Sequence, residues 1–472
     1  LSEDVRIRLS LSLDRVVSGN DVTYITPYGA NHDPDSILKG WDDIFNQNLS
    51  QISDELFNLE ASNRSKFGPR SIASPWIERK PGVNEYFSLL KYQDRIPEVP
   101  SLPRRLRPIS LNKAVDFLKN STNSGLPFYS RKGPLKEFYL EDFSELLSRK
   151  DPCIMFTRTQ ELGKTRTVWG YPMADTLNEM LLYRPLLDYQ RKLSWRSSMS
   201  GPEKVDLKMT SLINSARNLK ESLVSLDFST YDASVKIGLQ TGSFNYIKNL
   251  FQPKYSGQID YVFNRFNTIG LVTPDGVLVG PHGVPSGSTF TNEVDSISQY
   301  LVARSTGLDP SSFDIQGDDG VYRTKSPELL RDAFLNFGLK VNEEKSYVSD
   351  KCIVYLQNLY SKDYTDLGVI RGIYPCYRAL NRIIFPERFD DFSDDDITGA
   401  DYFAIKTISI LENCRNHPLF NKLVEYVYNL DKYGLRYSQQ GLKNYIQRNK
   451  SKHGVEEIFN FRYEDNLYGL NQ

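Results

Sequence analysis

The sequence predicts an α+β fold, and three patterns in the middle of the chain predict it. Apolar and polar residues alternate over 224–228, as in a strand with one buried face. Apolar residues recur at helical spacing over 294–301 and again over 330–337. Between these helices, two short β-rich runs flank a tight turn at 317–320, and an apolar strand follows at 355–360. The predicted order is strand, helix, hairpin, helix, strand.

The ends of these elements carry start and stop signals. Ser326-Pro327 predicts an N-cap followed by the first residue of a helix, and Gly338 predicts where that helix ends. The segment 273–277 predicts a hairpin turn between two β-rich runs. A glycine- and serine-rich loop over 283–288 precedes a helix that we expect to begin near Thr289.

Composition limits the class of protein. At about 100–200 residues per domain, 472 residues predict roughly three domains. Hydrophobic residues at 39% and charged residues at 25% are typical of a globular protein. The 58 basic and 59 acidic residues leave a net charge of −1, which argues against binding nucleic acid or anionic membrane over the whole surface. No uncharged apolar run approaches the ~18 residues of a membrane span.

Cysteine and histidine are few and scattered. No C-x-x-C pair occurs, which predicts buried free thiols in a reducing compartment rather than a disulfide framework or a zinc site. The dispersed histidines likewise predict no locally built metal cluster. The chain begins at Leu1 rather than Met, so the sequence does not identify the first residue of the native protein. The residues concerned are Cys153, Cys352, Cys376, Cys414, His32, His282, His417 and His453.

Two acidic groups lie far apart in sequence at the ends of predicted strands. Asp227 and Asp232 follow the first strand, and Asp318-Asp319 form the tip of the hairpin. Two divalent ions about 3.5–4 Å apart stabilise the attacking and leaving oxygens of a phosphoryl transfer, and Mg²⁺ favours carboxylates, waters and phosphates as ligands. Neighbouring strands would bring the two groups together. By itself, the Gly-Asp-Asp tripeptide is more typical of a solvated turn than of a metal site.

The loop between the acidic groups leads into a helix with polar residues on one face. Thr291 and Asp295 are at positions i and i+4, so a hydroxyl and a carboxylate share that face. They could bind a ribose hydroxyl directly or through Asp232. The alternative is an ordinary capped helix start.

Several charged segments have two open interpretations. Lys164 and Arg166 project from the same side of an extended strand, where they suit triphosphate oxygens or form plain surface charge. The proline-rich basic stretch 97–108 is either an exposed linker or a wall of a nucleic-acid channel. The acidic segment 390–401 is typical of a solvated loop. The basic segment 436–452 is either plain protein surface or a contact with RNA or a capsid protein.

Taken in order, these motifs resemble those of viral RNA-dependent RNA polymerases, from about residue 122 to 360. The resemblance includes the template-entry motif, through Ser124, Gly125 and Pro127. The matching segments are 122–127 (motif G), 164–166 (F), 227–232 (A), 286–291 (B), 317–319 (C), Lys345 (D) and 355–360 (E). Asp295 stands where many positive-strand RNA virus enzymes have Asn. With the loop 283–288, it resembles double-stranded RNA viruses of the picobirnavirus and partitivirus kind, with picobirnavirus favoured.

The resemblance implies a right-hand polymerase fold with an antiparallel palm sheet backed by helices and a mostly helical thumb. The implied boundaries are 1–60 for an N-terminal extension, 61–205 and 238–284 for fingers, 206–237 and 285–362 for palm, and 363–472 for thumb and C-terminal segment.

The same resemblance implies roles for individual residues. Asp227 and Asp318, assisted by Asp319, would hold two Mg²⁺ ions, with Mn²⁺ able to substitute, while a primer 3′-hydroxyl attacks the α-phosphate of a nucleoside triphosphate. Lys345 would protonate pyrophosphate as a general acid. The residues implied in binding the nucleotide are Lys164, Arg166, Asp232, Ser286, Gly287, Thr291 and Asp295.

The implied partners are template and nascent RNA, nucleoside triphosphates and a capsid protein, with no membrane. We expect a monomer in the virion interior and the host cytoplasm. The near-zero net charge then predicts that RNA is bound in an internal channel, with weak non-specific binding at physiological salt.

Three other functions compete. A reverse transcriptase shares the paired carboxylates, but that class usually carries an aromatic residue where this chain has Asp232, and an acid there favours ribonucleotides. A serine hydrolase fits poorly, since 283–287 has the wrong spacing for G-x-S-x-G and only His282 lies near. An inactive polymerase-like scaffold that binds RNA or capsid protein is the third.

Overall fold

The computed structural model describes residues 1–392 and 395–453. Asp394 of the acidic segment and residues 454–472 at the end of the predicted thumb lie outside this part of the chain. The chain divides into two compact units. The first unit consists of Leu1–Ser18, Pro75–Thr157 and Thr167–Ile353, and the second of Gly19–Ser74, Arg158–Arg166 and the described residues from Val354 onwards.

The described residues form α-helices and β-strands that are joined by irregular segments. The helices are α1 (Glu3–Ser18), α2 (Pro27–His32), α3 (Pro34–Gln47), α4 (Asp54–Arg64), α5 (Trp76–Glu85), α6 (Leu111–Asp116), α7 (Lys136–Glu141), α8 (Phe143–Ser148), α9 (Met173–Gln190), α10 (Pro202–Leu219), α11 (Tyr231–Ser234), α12 (Ile237–Leu250), α13 (Ser256–Thr268), α14 (Thr291–Ser305), α15 (Pro327–Asn336), α16 (Cys376–Ile384), α17 (Gly399–Leu411), α18 (Phe420–Leu430) and α19 (Gln439–His453). The strands are β1 (Cys153–Thr159), β2 (Thr165–Gly170), β3 (Ser222–Leu226), β4 (Leu271–Thr273), β5 (Gly276–Leu278), β6 (Phe313–Gln316), β7 (Asp319–Thr324), β8 (Tyr347–Ser349), β9 (Cys352–Tyr355), β10 (Asn358–Ser361), β11 (Thr365–Asp366) and β12 (Val369–Ile370).

An antiparallel sheet in the first unit, in the order β6-β7-β3-β8, carries both acidic groups. Its apolar side chains share one buried core with residues of α12, α14 and α15. Residues 223–226 are all buried, so β3 is covered on both faces rather than on the single face that its alternation predicts. The predicted strand 224–228 is displaced, since β3 covers Ser222–Leu226. It ends there because the Asp227 N–H donates to the Ser346 hydroxyl at 2.9 Å instead of continuing the ladder.

Most element ends agree with the sequence signals. The hairpin β4–β5 turns at the predicted segment, with Thr273 opposite Gly276. α15 begins at Pro327 after Ser326 and stops before Gly338, whose φ of +87° requires glycine. α14 begins at Thr291, two residues beyond the expected start.

The second unit has its own core. Buried aromatic and aliphatic side chains of α2, α3, α16 and α18 pack together, with Trp41, Tyr377 and Leu423 among them. All four cysteines of the chain are buried, as predicted, and none of them forms a disulfide. Within the described residues, no helix is both long enough and apolar enough to cross a membrane.

Candidate active site

The β6-β7-β3-β8 sheet brings the two acidic groups to one end of adjacent strands. β3 and β7 are antiparallel neighbours with Leu226 opposite Gly320. Extending that register by one residue sets Asp227 opposite Asp319, and the hairpin turn between β6 and β7 carries Asp318 next to it. Asp318 is exposed, and Asp227 and Asp319 are half-buried. Three carboxylates from two chain segments therefore lie together where solvent can reach them.

The turn before Asp318 is held by side chains of α14. The Gly317 N–H donates to the Ser296 hydroxyl at 2.8 Å, and the Gln299 side-chain amide donates to the Gly317 carbonyl at 2.8 Å. Gly317 has a φ of +63°, a conformation that favours glycine. The sequence motif is thus a turn, and α14 fixes which way Asp318 projects.

Asp227 is oriented by the segment that precedes β8. The Asn342 side-chain amide donates to Asp227 Oδ2 at 3.2 Å, and its backbone N–H donates to the Asp227 carbonyl at 2.8 Å. Lys345 is exposed and immediately precedes Ser346, the residue bound to the Asp227 N–H. Sequence reasoning missed Asn342, because an asparagine before a turn is ordinary turn chemistry.

The structure also brings together Asp232, Ser286 and Asp295, three of the residues implied in binding the nucleotide. The Ser286 hydroxyl donates to the Asp232 carboxylate, and the Val284 N–H donates to the Asp232 carbonyl at 2.7 Å. Asp295, only 4% exposed, is hydrogen-bonded to Asp232. Burial raises the pKa of Asp295 well above its usual range, and the charge of Asp232 adds to the shift. The raised pKa favours the protonated form of Asp295, which can donate a hydrogen bond to Asp232.

A buried ion pair supports α14 behind the site. Arg196 makes two hydrogen bonds of 3.0 Å to the Glu293 carboxylate and one of 2.9 Å to Asn292 Oδ1. The Asn292 oxygen also accepts from Ser296, whose hydroxyl holds Gly317. Sequence reasoning missed this network, since nothing near Arg196 in the sequence indicates a partner 97 residues away.

Gly287 is required by close packing rather than by an unusual φ. A Cβ atom at this position would lie 2.0 Å from the Trp169 carbonyl oxygen, and the Trp169 N–H donates to the Ser286 carbonyl at 3.0 Å. The Thr291 hydroxyl donates to the Pro285 carbonyl at 3.2 Å and so braces the same loop. The loop that carries Ser286 is therefore fixed against β2.

The resemblance found in the sequence implies nucleotide incorporation, and we expect Gly287→Ala to lower it by about tenfold or more. The reason is that the backbone of β2 leaves no room for a methyl group. Incorporation of labelled nucleotide by the purified protein measures the loss. Gly257→Ala is the control: a Cβ atom there meets nothing within 4 Å, and alanine favours its helix. Full activity in Gly287→Ala would show that the loop tolerates displacement.

The serine hydrolase alternative has no geometric support. The His282 ring nitrogens face the backbone carbonyls of Gly283 at 2.7 Å and Ile269 at 2.9 Å. The Ser286 hydroxyl donates to a carboxylate rather than to an imidazole. Among the described residues, no histidine is therefore in place to activate this serine.

Comparison with known proteins decides the family. The model of the family "Viral RNA-dependent RNA polymerase" matches residues 89–369, more than half of the chain. The chain belongs to this family. Its polymerase function and its relationship to double-stranded RNA virus enzymes, both predicted from the sequence, are confirmed.

Individual relatives of the chain carry RNA polymerase names as well. The polymerase is 28% identical over 461 residues to a "Potential RNA-dependent RNA polymerase" of Human picobirnavirus (strain Human/Thailand/Hy005102/-), which covers 88% of this chain and 84% of the relative. It is 22% identical over 276 residues to an RNA-directed RNA polymerase of Cryptosporidium parvum virus 1 (strain KSU-1), covering 52% of each chain.

A solved structure confirms the fold. The crystal structure of the RNA-dependent RNA polymerase of a human picobirnavirus superposes with a TM-score of 0.83 at 23% identity, covering 100% of this chain and 99% of that one. The predicted α+β polymerase fold is correct. The boundaries assigned to fingers, palm and thumb remain predictions.

The predicted triphosphate-binding cations of the polymerase lie in the second unit. Lys164 and Arg166 are both exposed and alternate with Thr165 on an extended segment, although Lys164 precedes β2 rather than lying in it. The Thr165 hydroxyl accepts the Ser74 N–H at 2.9 Å. Glu161 in the same segment pairs with Arg70 at 3.1 Å. The segment is anchored by neutral and acidic residues while both cations stay accessible.

The predicted template residues of the polymerase differ in exposure. Ser124 is fully buried, and its N–H donates to the Ser130 carbonyl at 2.7 Å, so it shapes the loop. Gly125 has a φ of +63°, and a Cβ there would lie 2.5 Å from the Tyr171 carbonyl oxygen. Pro127 is partly exposed. Only Pro127 of these three residues offers its side chain to solvent.

One further group of metal-ligating residue types occurs in the second unit. Glu60, Cys376 and His417 place their ligand atoms within 4.8 Å of one another, a clustering not predicted from the sequence. His417 Nδ1 accepts the Leu419 N–H at 3.0 Å, so its Nε2 carries the hydrogen and donates to Glu60 Oε1 at 2.8 Å. Glu60 Oε1 also accepts the Cys376 N–H at 2.7 Å. This group is a hydrogen-bonded network, because no histidine lone pair is left for a metal.

Proposed function

We propose that this RNA-dependent RNA polymerase joins nucleotides at a site where Asp227, Asp318 and Asp319 hold two Mg²⁺ ions, with Mn²⁺ able to substitute. The supporting observation is the β3–β7 register, which gathers carboxylate oxygens from two segments at an accessible edge. Such an all-oxygen donor set suits hard divalent cations. Bound there, the ions would stabilise the attacking and leaving oxygens of the phosphoryl group.

The chain's own residues prepare this chemistry. Asn342 and Ser346 hold Asp227, and α14 holds the turn of Asp318. Lys345, exposed beside Ser346, is proposed as the general acid that protonates pyrophosphate. Lys164 and Arg166 are proposed to neutralise the triphosphate, a role that their charge and exposure support.

The sugar of the incoming nucleotide is proposed to bind at Asp232, Ser286, Gly287, Thr291 and Asp295. Asp232 accepts hydrogen bonds from Ser286 and Asp295, which hold its carboxylate in place to accept another from a ribose 2′-hydroxyl. A 2′-deoxyribose cannot donate that bond. The site would therefore select ribonucleotides, against the reverse transcriptase alternative.

We expect Asp232→Ala to reduce the preference for NTP over dNTP by about tenfold or more, because a hydrogen bond to a charged acceptor is lost. The preference is measured as the ratio of the NTP incorporation rate to the dNTP incorporation rate on one RNA template. The loop should survive, since Val284 bonds the Asp232 carbonyl rather than its side chain. Asp188→Ala, which truncates an acid whose side chain is 55% exposed, is the control. An unchanged ratio in Asp232→Ala would refute the sugar contact.

The relationship to picobirnavirus polymerases supports proposals about the oligomeric state of the enzyme, the place where it works and its protein partner. We propose that the enzyme works as a monomer, in the virion interior and the host cytoplasm, with a capsid protein as partner. Pro127 is proposed to contact template RNA, with Ser124 and Gly125 shaping its loop.

A direct assay tests the proposed function. Purified protein receives a short unlabelled RNA template, labelled NTPs and Mg²⁺, in parallel reactions with and without an RNA primer. We expect labelled RNA with Mg²⁺ and none with EDTA. An inactive scaffold would give no product under either condition, and product with EDTA would contradict the metal site.

A further inference from the structure

A buried carboxyl group contacts the loop that carries Ser286. Glu179 lies on α9 and is 3% exposed. Its Oε2 accepts the Ser288 hydroxyl, and its Oε1 accepts the Thr289 N–H at 3.3 Å. Both oxygens therefore face the segment just before α14. The sequence offers little to identify it, since Glu179 sits in a helix whose other buried residues are largely apolar.

Ser288 transmits this contact to the start of α14. Its hydroxyl oxygen also accepts the Phe290 N–H at 3.1 Å, and its carbonyl accepts the Thr291 N–H at 3.2 Å. The hydroxyl hydrogen is committed to Glu179. Through this one serine, Glu179 fixes the junction between loop and helix.

The loop consequently has two anchors. The Trp169 backbone holds Ser286 and Gly287, while Glu179 holds Ser288 and Thr289. Ser286 then meets Asp232. Glu179 itself makes no hydrogen bond to Asp232 or to the three metal-site carboxylates within the described residues, so it acts on the site through the loop.

Charged and titratable groups surround Glu179 from several elements. Asp175 lies on the same helix, Arg265 comes from α13, Tyr171 follows β2 and Cys153 begins β1. Arg265 is committed to Asp175 through hydrogen bonds of 2.8 and 2.9 Å. Burial is the main cause that raises the pKa of Glu179, to about 8. Its protonation state therefore changes within the range in which a polymerase can be assayed.

We propose that Glu179 is a positioning residue of the polymerase, whose carboxyl group holds the 286–289 segment so that Ser286 meets Asp232. The inference rests on the proposed nucleotide site. The ionised carboxylate accepts the bonds from Ser288 and Thr289 as charge-assisted hydrogen bonds, which are about twice as strong as those to the neutral acid. The loop is then held best above about pH 8, where the carboxylate predominates.

Glu179→Gln tests this directly, because glutamine resembles the protonated acid in shape and charge. We expect its KM for NTP to be close to the wild-type value at pH 6.5 and about tenfold higher at pH 9, with a smaller change in kcat. Ser288→Ala should raise KM at pH 9 similarly, and the double variant should add little, since both act through one bond. Asn178→Ala, another buried polar residue on α9, is the control.

The outcomes separate the possibilities. A wild-type protein that makes no RNA contradicts the proposed function rather than this inference. An active wild type with equal KM ratios at both pH values, or with loss confined to the melting temperature, overturns the positioning role. A rise in KM for Glu179→Gln at high pH, matched by Ser288→Ala and absent in Asn178→Ala, supports it.

Discussion

Asp318→Ala should abolish template-directed incorporation, with a loss of about 10³-fold or more, while the protein stays folded. In the proposed metal site this carboxylate, at the tip of the β6–β7 turn, would supply oxygen ligands that a methyl group cannot replace. Its side chain is exposed, so its removal leaves no buried cavity and no buried partner. Extension of an RNA product with labelled NTPs measures the loss.

The control for Asp318→Ala is Asp332→Ala, which removes an exposed acid from α15 in the same unit. That variant should keep wild-type activity. Both variants should melt within a few degrees of the wild type. Substantial synthesis by Asp318→Ala would refute the assignment of the metal site.

Glu293→Ala should destabilise the protein by about 3–5 kcal/mol, because it leaves Arg196 as an uncompensated buried charge. Both side chains are at most 1% exposed. Activity should fall as well, since the pair supports Asn292 and Ser296, which lead to the Gly317 turn. Urea unfolding followed by circular dichroism measures the change in stability.

An exposed ion pair provides the comparison for Glu293→Ala. Glu343 pairs with Arg331 at 3.4 Å, and its side chain is 72% exposed. Glu343→Ala should cost at most about 1 kcal/mol. Equal effects of the two substitutions would mean that the buried Arg196–Glu293 pair contributes no more stability than an exposed pair.

Local patterns were sufficient for the elements that carry the acidic residues. The alternation in β3, the turn at Gly317 and the Ser-Pro start of α15 all depend on neighbours in sequence. The end of β3 was misplaced because a hydroxyl 119 residues away, on Ser346, takes the Asp227 N–H. A strand's last hydrogen bond is decided by tertiary contacts, which alternation does not encode.

The supporting residues of the site were missed for the same reason. Glu179, Arg196 and Asn342 act through partners about 100 residues away, and each looks ordinary beside its sequence neighbours. Gly287 was selected with its motif, but the close approach of Trp169 that requires glycine follows from the fold alone. The sequence thus singled out the acidic residues that the fold brings together, but not the residues that hold them in place.

The most direct test of RNA-directed synthesis compares two RNA templates of defined composition, one of which lacks cytidine. Purified wild-type protein is given Mg²⁺ and all four NTPs, with GTP alone labelled. We expect labelled full-length product from the template that contains cytidine and unlabelled product of equal length from the other. Label incorporated equally from both templates would mean that nucleotides are added without reading the template, and would contradict the account.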